Sequence, residues 1–252
     1  MSSGAVSVIP VPNLPEVQAG AELPQLILDA LGSSRLTLER GDVVVVTHKV
    51  VSKAEGRIVR LSSVQPSDLA CRFAADSGKD PRHVEVVLRE SVRIVRMERG
   101  IIISETRHGF VCANAGVDAS NVPGDDVVCL LPNDPDGVAR RLRTAWQSAL
   151  GIELAVVITD SFGRPWRNGI VNVAIGASGL EPLRDYRGGL DPYGRELSAT
   201  VIAVADELAA AAELVMGKTD GVPVAIVRGY RYSPSDSGAA ELVMPRERDL
   251  FR

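Results

Sequence analysis

Three uninterrupted apolar runs stand out along the chain: Val43-Val44-Val45-Val46-Thr47, Leu154-Ala155-Val156-Val157-Ile158-Thr159 and Pro223-Val224-Ala225-Ile226-Val227-Arg228. Short continuous runs of this kind suit strands of a sheet covered on both faces. Residues 6–12 read as a further short strand that ends in the proline-rich loop 10–16. Helical spacing appears where Pro24 precedes Ile27, Leu28 and Leu31 on the way to Gly32. It returns over residues 66–75 and again from Asp134-Pro135, where Val138, Leu142, Ala145, Trp146, Ala149 and Leu150 form one face that ends at Gly151. The alanine-rich stretch 201–216 predicts another helix, stopped by Gly217.

Residues 101–106 and 109–113 predict paired strands around a turn at Arg107-His108. Residues 77–82 read as a loop, 84–96 alternate too irregularly to assign, and the polar segment 245–249 reads as loose. Helices alternating with apolar strands indicate α/β content, and the hairpin near Arg107 breaks a purely doubly wound pattern. The expected class is therefore α+β with mixed sheets, with residues 1–252 forming one domain that has room for two structural subdomains.

Composition narrows the function. A formal charge of −4 with 28 basic and 32 acidic side chains lacks the concentrated basic surface that duplex binding needs. Cys71, Cys112 and Cys129 form no CxxC pair, and three histidines are few to complete a soft metal site, so reduced thiols are expected. The first residues carry no basic segment followed by an apolar core, and no stretch is apolar for long enough to cross a bilayer. These features predict a cytoplasmic protein with no nucleic-acid and no membrane partner.

The chemistry concentrates where strands are expected to end. Asp160 is read at the exit of the run 154–159, followed by Ser161, Gly163, Arg164 and Arg167, the parts of a metal-phosphate site. Asp118 and Asn121 lie in a small-residue loop, where an aspartate forms turns as readily as it binds metal. Two aspartates from separate loops would let one hard cation bridge the protein to nucleotide phosphates, with Ser161 adding a neutral oxygen. His48, Lys49 and Lys53 follow the first apolar run, and the lysines with Glu55 are as consistent with a solvated turn as with phosphate contact. Arg164 and Arg167 flank Trp166, where guanidinium packing on the ring competes with anion binding. Residues 212–219 mimic a phosphate loop, but a helix precedes Gly217 and a strand follows, the reverse of the strand-to-helix order that the loop requires. Gly217 is thus first a helix cap.

Four segments together, His48-Lys49-Val50-Val51-Ser52-Lys53-Ala54-Glu55-Gly56, Asn114-Ala115-Gly116-Val117-Asp118-Ala119-Ser120-Asn121-Val122, Ile158-Thr159-Asp160-Ser161-Phe162-Gly163-Arg164-Pro165-Trp166-Arg167-Asn168-Gly169 and Asp191-Pro192-Tyr193-Gly194-Arg195-Glu196-Leu197, resemble the coenzyme F420-0:L-glutamate ligase family. The similarity extends over about residues 9–230, nearly the whole chain. The resemblance implies a homodimeric enzyme of family-specific mixed-sheet fold. It implies that GTP drives addition of L-glutamate to coenzyme F420-0, first through an ordinary amide and then through γ-linkages. It also implies two divalent cations per subunit, magnesium or manganese, with potassium as a further candidate. On this resemblance Asp118 and Asp160 bind the first divalent cation and Ser161 the second. Leu14, Pro15, Glu16, Val17, His48, Lys53, Asn121 and the loop from Met216 to Pro223, which includes Gly217, Lys218 and Thr219, contact GTP. Lys53 and Asp160 are the candidate catalytic residues. Arg107, Arg184 and Tyr193 are candidates for the deazaflavin. Two positions depart from the family pattern: Ser161 stands for a commoner threonine, and Lys218 stands where an archaeal-type relative offers a metal-ligating side chain. The end of the chain at residues 249–252 resembles the point where some relatives continue into a flavin domain.

The implied chemistry is activation of a carboxylate as an acyl phosphate followed by attack of the glutamate amine. A GTP-dependent kinase that forms no amide, and a non-catalytic GTP-sensing module, are the alternatives left open by the residues.

Overall fold

A computed structural model describes residues 4–250; Phe251 and Arg252, part of the expected flavin-domain junction, lie outside the described residues. The strands are β1 (Ser7–Pro10), β2 (Val43–Thr47), β3 (Ile58–Arg60), β4 (Ser91–Glu98), β5 (Ile101–Thr106), β6 (Val111–Ala113), β7 (Val127–Cys129), β8 (Ala155–Arg164), β9 (Arg167–Ser178), β10 (Arg184–Asp185), β11 (Val201–Ile202) and β12 (Val224–Arg228). The helices are α1 (Leu23–Ser33), α2 (His48–Ala54), α3 (Asp68–Ser77), α4 (Pro81–Glu90), α5 (Pro135–Leu150) and α6 (Val204–Met216).

The frame is a five-stranded sheet in the order β1-β12-β2-β8-β9. β2 and β8 run parallel and the other neighbours antiparallel, so the sheet is mixed, as expected for the α+β class. Successive side chains point to opposite faces. Val44, Val46, Val156, Ile158 and Ile226 therefore pack with residues of α1 and α5, while Val43, Val45, Ala155, Val157 and Ala225 pack with Leu208, Ala209 and Ala212 of α6. Burial on both faces explains the unbroken apolar runs, and each fully buried valine contributes about 1.5–3 kcal/mol. The approach of α5 is close enough that Gly176 on β9 has no room for a side chain: a Cβ there would lie 2.5 Å from the Pro135 carbonyl carbon.

A second apolar cluster lies in the long connection between β2 and β8, where Leu61, Ala70, Val84, Val87, Ile102, Val117 and Val128 are buried together. It is framed by α3, α4, the antiparallel sheet β4-β5-β6 and the β3-β7 ladder. Arg57 ties this region to its surroundings, with Nη2 on Glu90 Oε2 at 2.8 Å and Nε on the Leu131 carbonyl at 3.0 Å.

α5 begins and ends where expected: Asp134 Oδ1 accepts from the Gly137 N–H at 2.9 Å, and Gly151 is left-handed at φ 68°. Several expectations are corrected. α1 runs through Gly32 to Ser33, and α6 starts at Val204 because 201–202 pair with β10. The unassigned stretch 84–96 is the end of α4 followed directly by β4. The segment after β2 forms α2, not a solvated turn, and buries Val50, Val51 and Ser52. β8 does not stop at Asp160 but continues to Arg164 in a hairpin with β9, so the aspartate lies within the strand. The C-terminal segment is anchored, with Arg246 Nη2 on Glu105 Oε1 at 2.9 Å. No helix among the described residues is long and apolar enough to cross a membrane.

Candidate active site

The parallel register of β2 and β8 places Thr47 opposite Thr159. The next residues, His48 and Asp160, consequently meet: His48 Nε2 lies 3.2 Å from Asp160 Oδ1. The N-terminal end of the antiparallel strand β12 reaches the same edge, where Thr47 N–H donates to the Pro223 carbonyl at 2.9 Å. Carboxyl ends of parallel strands are a recurrent ligand position in sheets with helices on both faces. Here they open into a cavity of about 860 Å³.

Asp118 enters the cavity from the second apolar region. Asn114, Ala115 and Gly116 are all left-handed, at φ 51°, 52° and 71°, turning the chain out of β6. Gly116 is required there on two counts, since a Cβ would also lie 2.7 Å from the Leu131 side chain. Asp118 then pairs through its backbone with Cys129 at 3.0 and 2.8 Å. Its carboxylate accepts from the Ser120 N–H at 2.9 Å and the Ser120 hydroxyl at 2.7 Å, and from the Lys49 ammonium. Lys49 also donates to the Ser120 carbonyl at 2.7 Å. Burial acts to raise the Asp118 carboxyl, but the Lys49 and Ser120 hydrogen bonds outweigh it and hold the group below its ordinary value. Asp160 is likewise held low: burial opposes ionisation, and His48, the Ser161 N–H and the charge of Lys49 overcome it. Lys49 is thus a cation common to both aspartates.

On the other side of β8, Ser161 faces α6. Its hydroxyl donates to Asn172 Oδ1 at 2.7 Å and accepts from the Lys218 ammonium. Asn172 Nδ2 donates to Glu213 Oε2 at 2.7 Å, and Lys218 Nζ lies 3.3 Å from Glu213 Oε1. Lys53 donates to Glu16 Oε1 at 2.6 Å across the cavity rim.

Of the residues proposed from sequence, Leu14, Pro15, Glu16, Val17, His48, Lys53, Asn121, Gly217, Lys218, Asp118, Asp160 and Ser161 line this one cavity. Met216 and Thr219 do not; Met216 is 1% exposed because the last turn of α6 buries it in the core. Arg107, Arg184 and Tyr193 lie outside it too. Arg107 donates to Asn133 Oδ1, Arg184 sits 4.9 Å over the Tyr186 ring, and Tyr193 is exposed. Arg164 donates to the Asn168 carbonyl at 3.2 Å within its own hairpin. Ser120, Asn172 and Glu213, polar residues outside the sequence proposal, also line the cavity, as does Lys49, for which phosphate contact stood beside a solvated turn. The signal for Asn172 is a lone amide in the apolar run 170–177, and for Glu213 an acid one turn before the Gly217 cap in an alanine-rich helix.

The charge balance of the cavity bears on its ligand. Glu16, Asp118, Asp160 and Glu213 face three lysines and one histidine, so a polyphosphate would meet no net positive charge from the protein. Asp118 and Asp160 supply hard oxygens, and Asp160 Oδ2 has no protein partner among the described residues. No group of three or more His, Cys, Asp or Glu side chains among the described residues is placed to hold a metal by itself. Magnesium commonly takes one or two carboxylates and completes its shell with phosphate and water oxygens, and this donor set fits such a cation.

The family model described as F420-0:Gamma-glutamyl ligase matches residues 12–229. The chain is 50% identical over 250 residues to the coenzyme F420:L-glutamate ligase of Methanothermobacter thermautotrophicus, covering 98% of this chain and 99% of that protein. It is 47% identical over 248 residues to that of Methanopyrus kandleri, covering 96% of each chain. Against the ligase of Methanocaldococcus jannaschii it is 41% identical over 240 residues, covering 92% of this chain and 95% of the relative.

Proposed function

The chain belongs to the F420-0:gamma-glutamyl ligase family, and from that premise we propose that it is an enzyme that joins L-glutamate to coenzyme F420-0 with cleavage of GTP. The observation that carries the GTP reading is the convergence of Asp118 and Asp160, from separate regions of the chain, on one cavity with Lys49, Lys53 and Ser161.

Amide formation from a free carboxylate is uphill in water, so the carboxylate must be activated. In the first step a carboxylate oxygen of coenzyme F420-0 attacks the γ-phosphorus; the bond to the β,γ-bridging oxygen breaks and GDP leaves, giving an acyl phosphate. In the second, the glutamate amine attacks the acyl carbon, the carbon–oxygen bond to phosphate breaks, and inorganic phosphate and one proton leave. Lys53 and Lys49 exchange their present carboxylate partners for phosphate oxygens and orient the triphosphate, a preorganised electrostatic role. His48, buried and hydrogen-bonded to Ser52 Oγ at 3.3 Å, fixes the direction of the Asp160 carboxylate. A divalent cation held by Asp118 and Asp160 would neutralise the β,γ-phosphate oxygens.

The test supplies coenzyme F420-0, L-glutamate, GTP and manganese and follows GDP and glutamylated product by mass spectrometry. One GDP per amide formed is expected. GDP release with no amide overturns the ligase reading in favour of a phosphotransferase, and glutamylation that proceeds without GTP removes the nucleotide from the scheme.

A further inference from the structure

Ser161, Asn172, Glu213 and Lys218 close a ring of polar contacts at the α6 side of the cavity. The Ser161 proton is committed to Asn172 Oδ1 at 2.7 Å, and one Asn172 amide proton to Glu213 Oε2 at 2.7 Å. The Lys218 ammonium completes the ring, touching the Ser161 oxygen and lying 3.3 Å from Glu213 Oε1. Asn172 is 2% exposed, so the arrangement is set from within the protein. Each oxygen that could ligate a cation at this place is therefore already engaged: Ser161 Oγ and Glu213 Oε1 by the Lys218 ammonium, Glu213 Oε2 by the Asn172 amide, and Asn172 Oδ1 by the Ser161 hydroxyl. A second divalent ion does not fit unless Lys218 leaves. At the first position the Lys49 ammonium and Ser120 likewise engage both Asp118 oxygens, but Asp160 Oδ2 has no protein partner among the described residues and gives a cation a free carboxylate oxygen there.

We propose that the Lys218 ammonium replaces a second divalent ion, so that the nucleotide is served by one metal and one tethered cation. This inference rests on the GTP reading. A lysine is a strongly hydrated point charge with three donors and serves well as a phosphate partner. Two of those donors point to Ser161 and Glu213, and the third is available to a terminal phosphate oxygen. The tethered charge remains in the cavity when the products leave, whereas a second metal would depart with them or need to rebind. Lys218 follows the Gly217 cap of α6, and its side chain is half-exposed, so its replacement leaves the core intact.

The test counts manganese ions by native mass spectrometry on the wild type, Lys218→Gln and Lys218→Arg, each saturated with a GTP analogue carrying a non-hydrolysable β,γ-imido bridge. The wild type and Lys218→Arg are expected to carry one ion per bound nucleotide. Lys218→Gln, which removes the ammonium and offers an amide oxygen, is expected to carry two. With manganese held at one equivalent, Lys218→Gln binds the analogue about tenfold more weakly, the size expected for loss of a charge-assisted hydrogen bond. Two ions on the wild type, or an unchanged count in Lys218→Gln, overturns the inference while leaving GTP binding intact. Failure of the wild type to bind the analogue at all overturns the GTP reading and this inference with it.

Discussion

Removing the Asn172 amide should destabilise the protein through two specific bonds. Asn172 is 2% exposed and stands opposite Ser161 in the β8-β9 register. It accepts from the Ser161 hydroxyl at 2.7 Å and donates to the Glu213 carboxylate at 2.7 Å, while its contact with Thr159 Oγ1 at 3.5 Å is marginal. Losing a neutral hydrogen bond costs about 1 kcal/mol and one to a charged group about 2 kcal/mol, so Asn172→Ala should lose about 3 kcal/mol. For a chain of this size that corresponds to a melting shift of about 6–12 °C. Calorimetry at pH 7 measures it. Asn172→Asp sharpens the test, because it sets a second carboxylate against Glu213. Its deficit should equal or exceed that of the alanine variant at pH 7 and shrink toward pH 5, as one of the two acids takes up a proton. Melting of both variants within about 2 °C of the wild type would show that the polar ring is not structural.

Three further outcomes follow from the same geometry. Asp160→Ala should lower turnover by about a thousandfold, the scale of a lost preorganised electrostatic partner, while remaining folded by circular dichroism; full activity would remove Asp160 from the site. Asp118 and Asp160 have folded values below their ordinary 3.8, so the stability they contribute is present above that value and lost as pH falls through the folded values. Acid titrations should therefore show their contribution unchanged between pH 7 and 5 and lost below about pH 4, a loss that the double asparagine variant lacks; identical acid profiles would refute this. Burial, with the Asp160 charge second, pushes the Cys112 thiol up to about 12, and Cys129 is buried while Cys71 is exposed. Brief alkylation at pH 8 should add one label, at Cys71, and labelling of Cys112 before unfolding would contradict the packing.

The pattern of the sequence was legible where one physical requirement dominates. β2, β8 and β12 are buried on both faces, and only apolar runs satisfy that. α5 carries its own start and stop signals in Asp134, Pro135 and Gly151. Legibility failed where tertiary context decides. The segment after β2 reads as a turn from its charges, yet Val50 and Val51 form the buried side of α2. Between α4 and β4 the chain passes from Glu90 to Ser91 with neither glycine nor proline to mark the change. Residues 160–164 alternate in no apolar pattern because the hairpin there is held by backbone pairing with β9 and not by a covered face. Candidate site residues that follow strand ends could be named because chemistry at a strand exit is conspicuous. Asn172 and Glu213 were not, since nothing in the order of residues shows that β9 and α6 approach Ser161 from one side. Met216 was named as a GTP contact at the end of the expected helix, but the last turn of α6 directs its side chain into the core.

The central claim is that Asp118 and Asp160 act on one cation together with GTP, and anomalous scattering at the manganese edge from crystals grown with a non-hydrolysable GTP analogue tests it most directly. The account predicts a single peak within about 2.0–2.2 Å of an oxygen from each aspartate and of a phosphate oxygen, distances usual for a small hard cation. A nucleotide bound elsewhere, or a manganese peak that touches neither carboxylate, would contradict it.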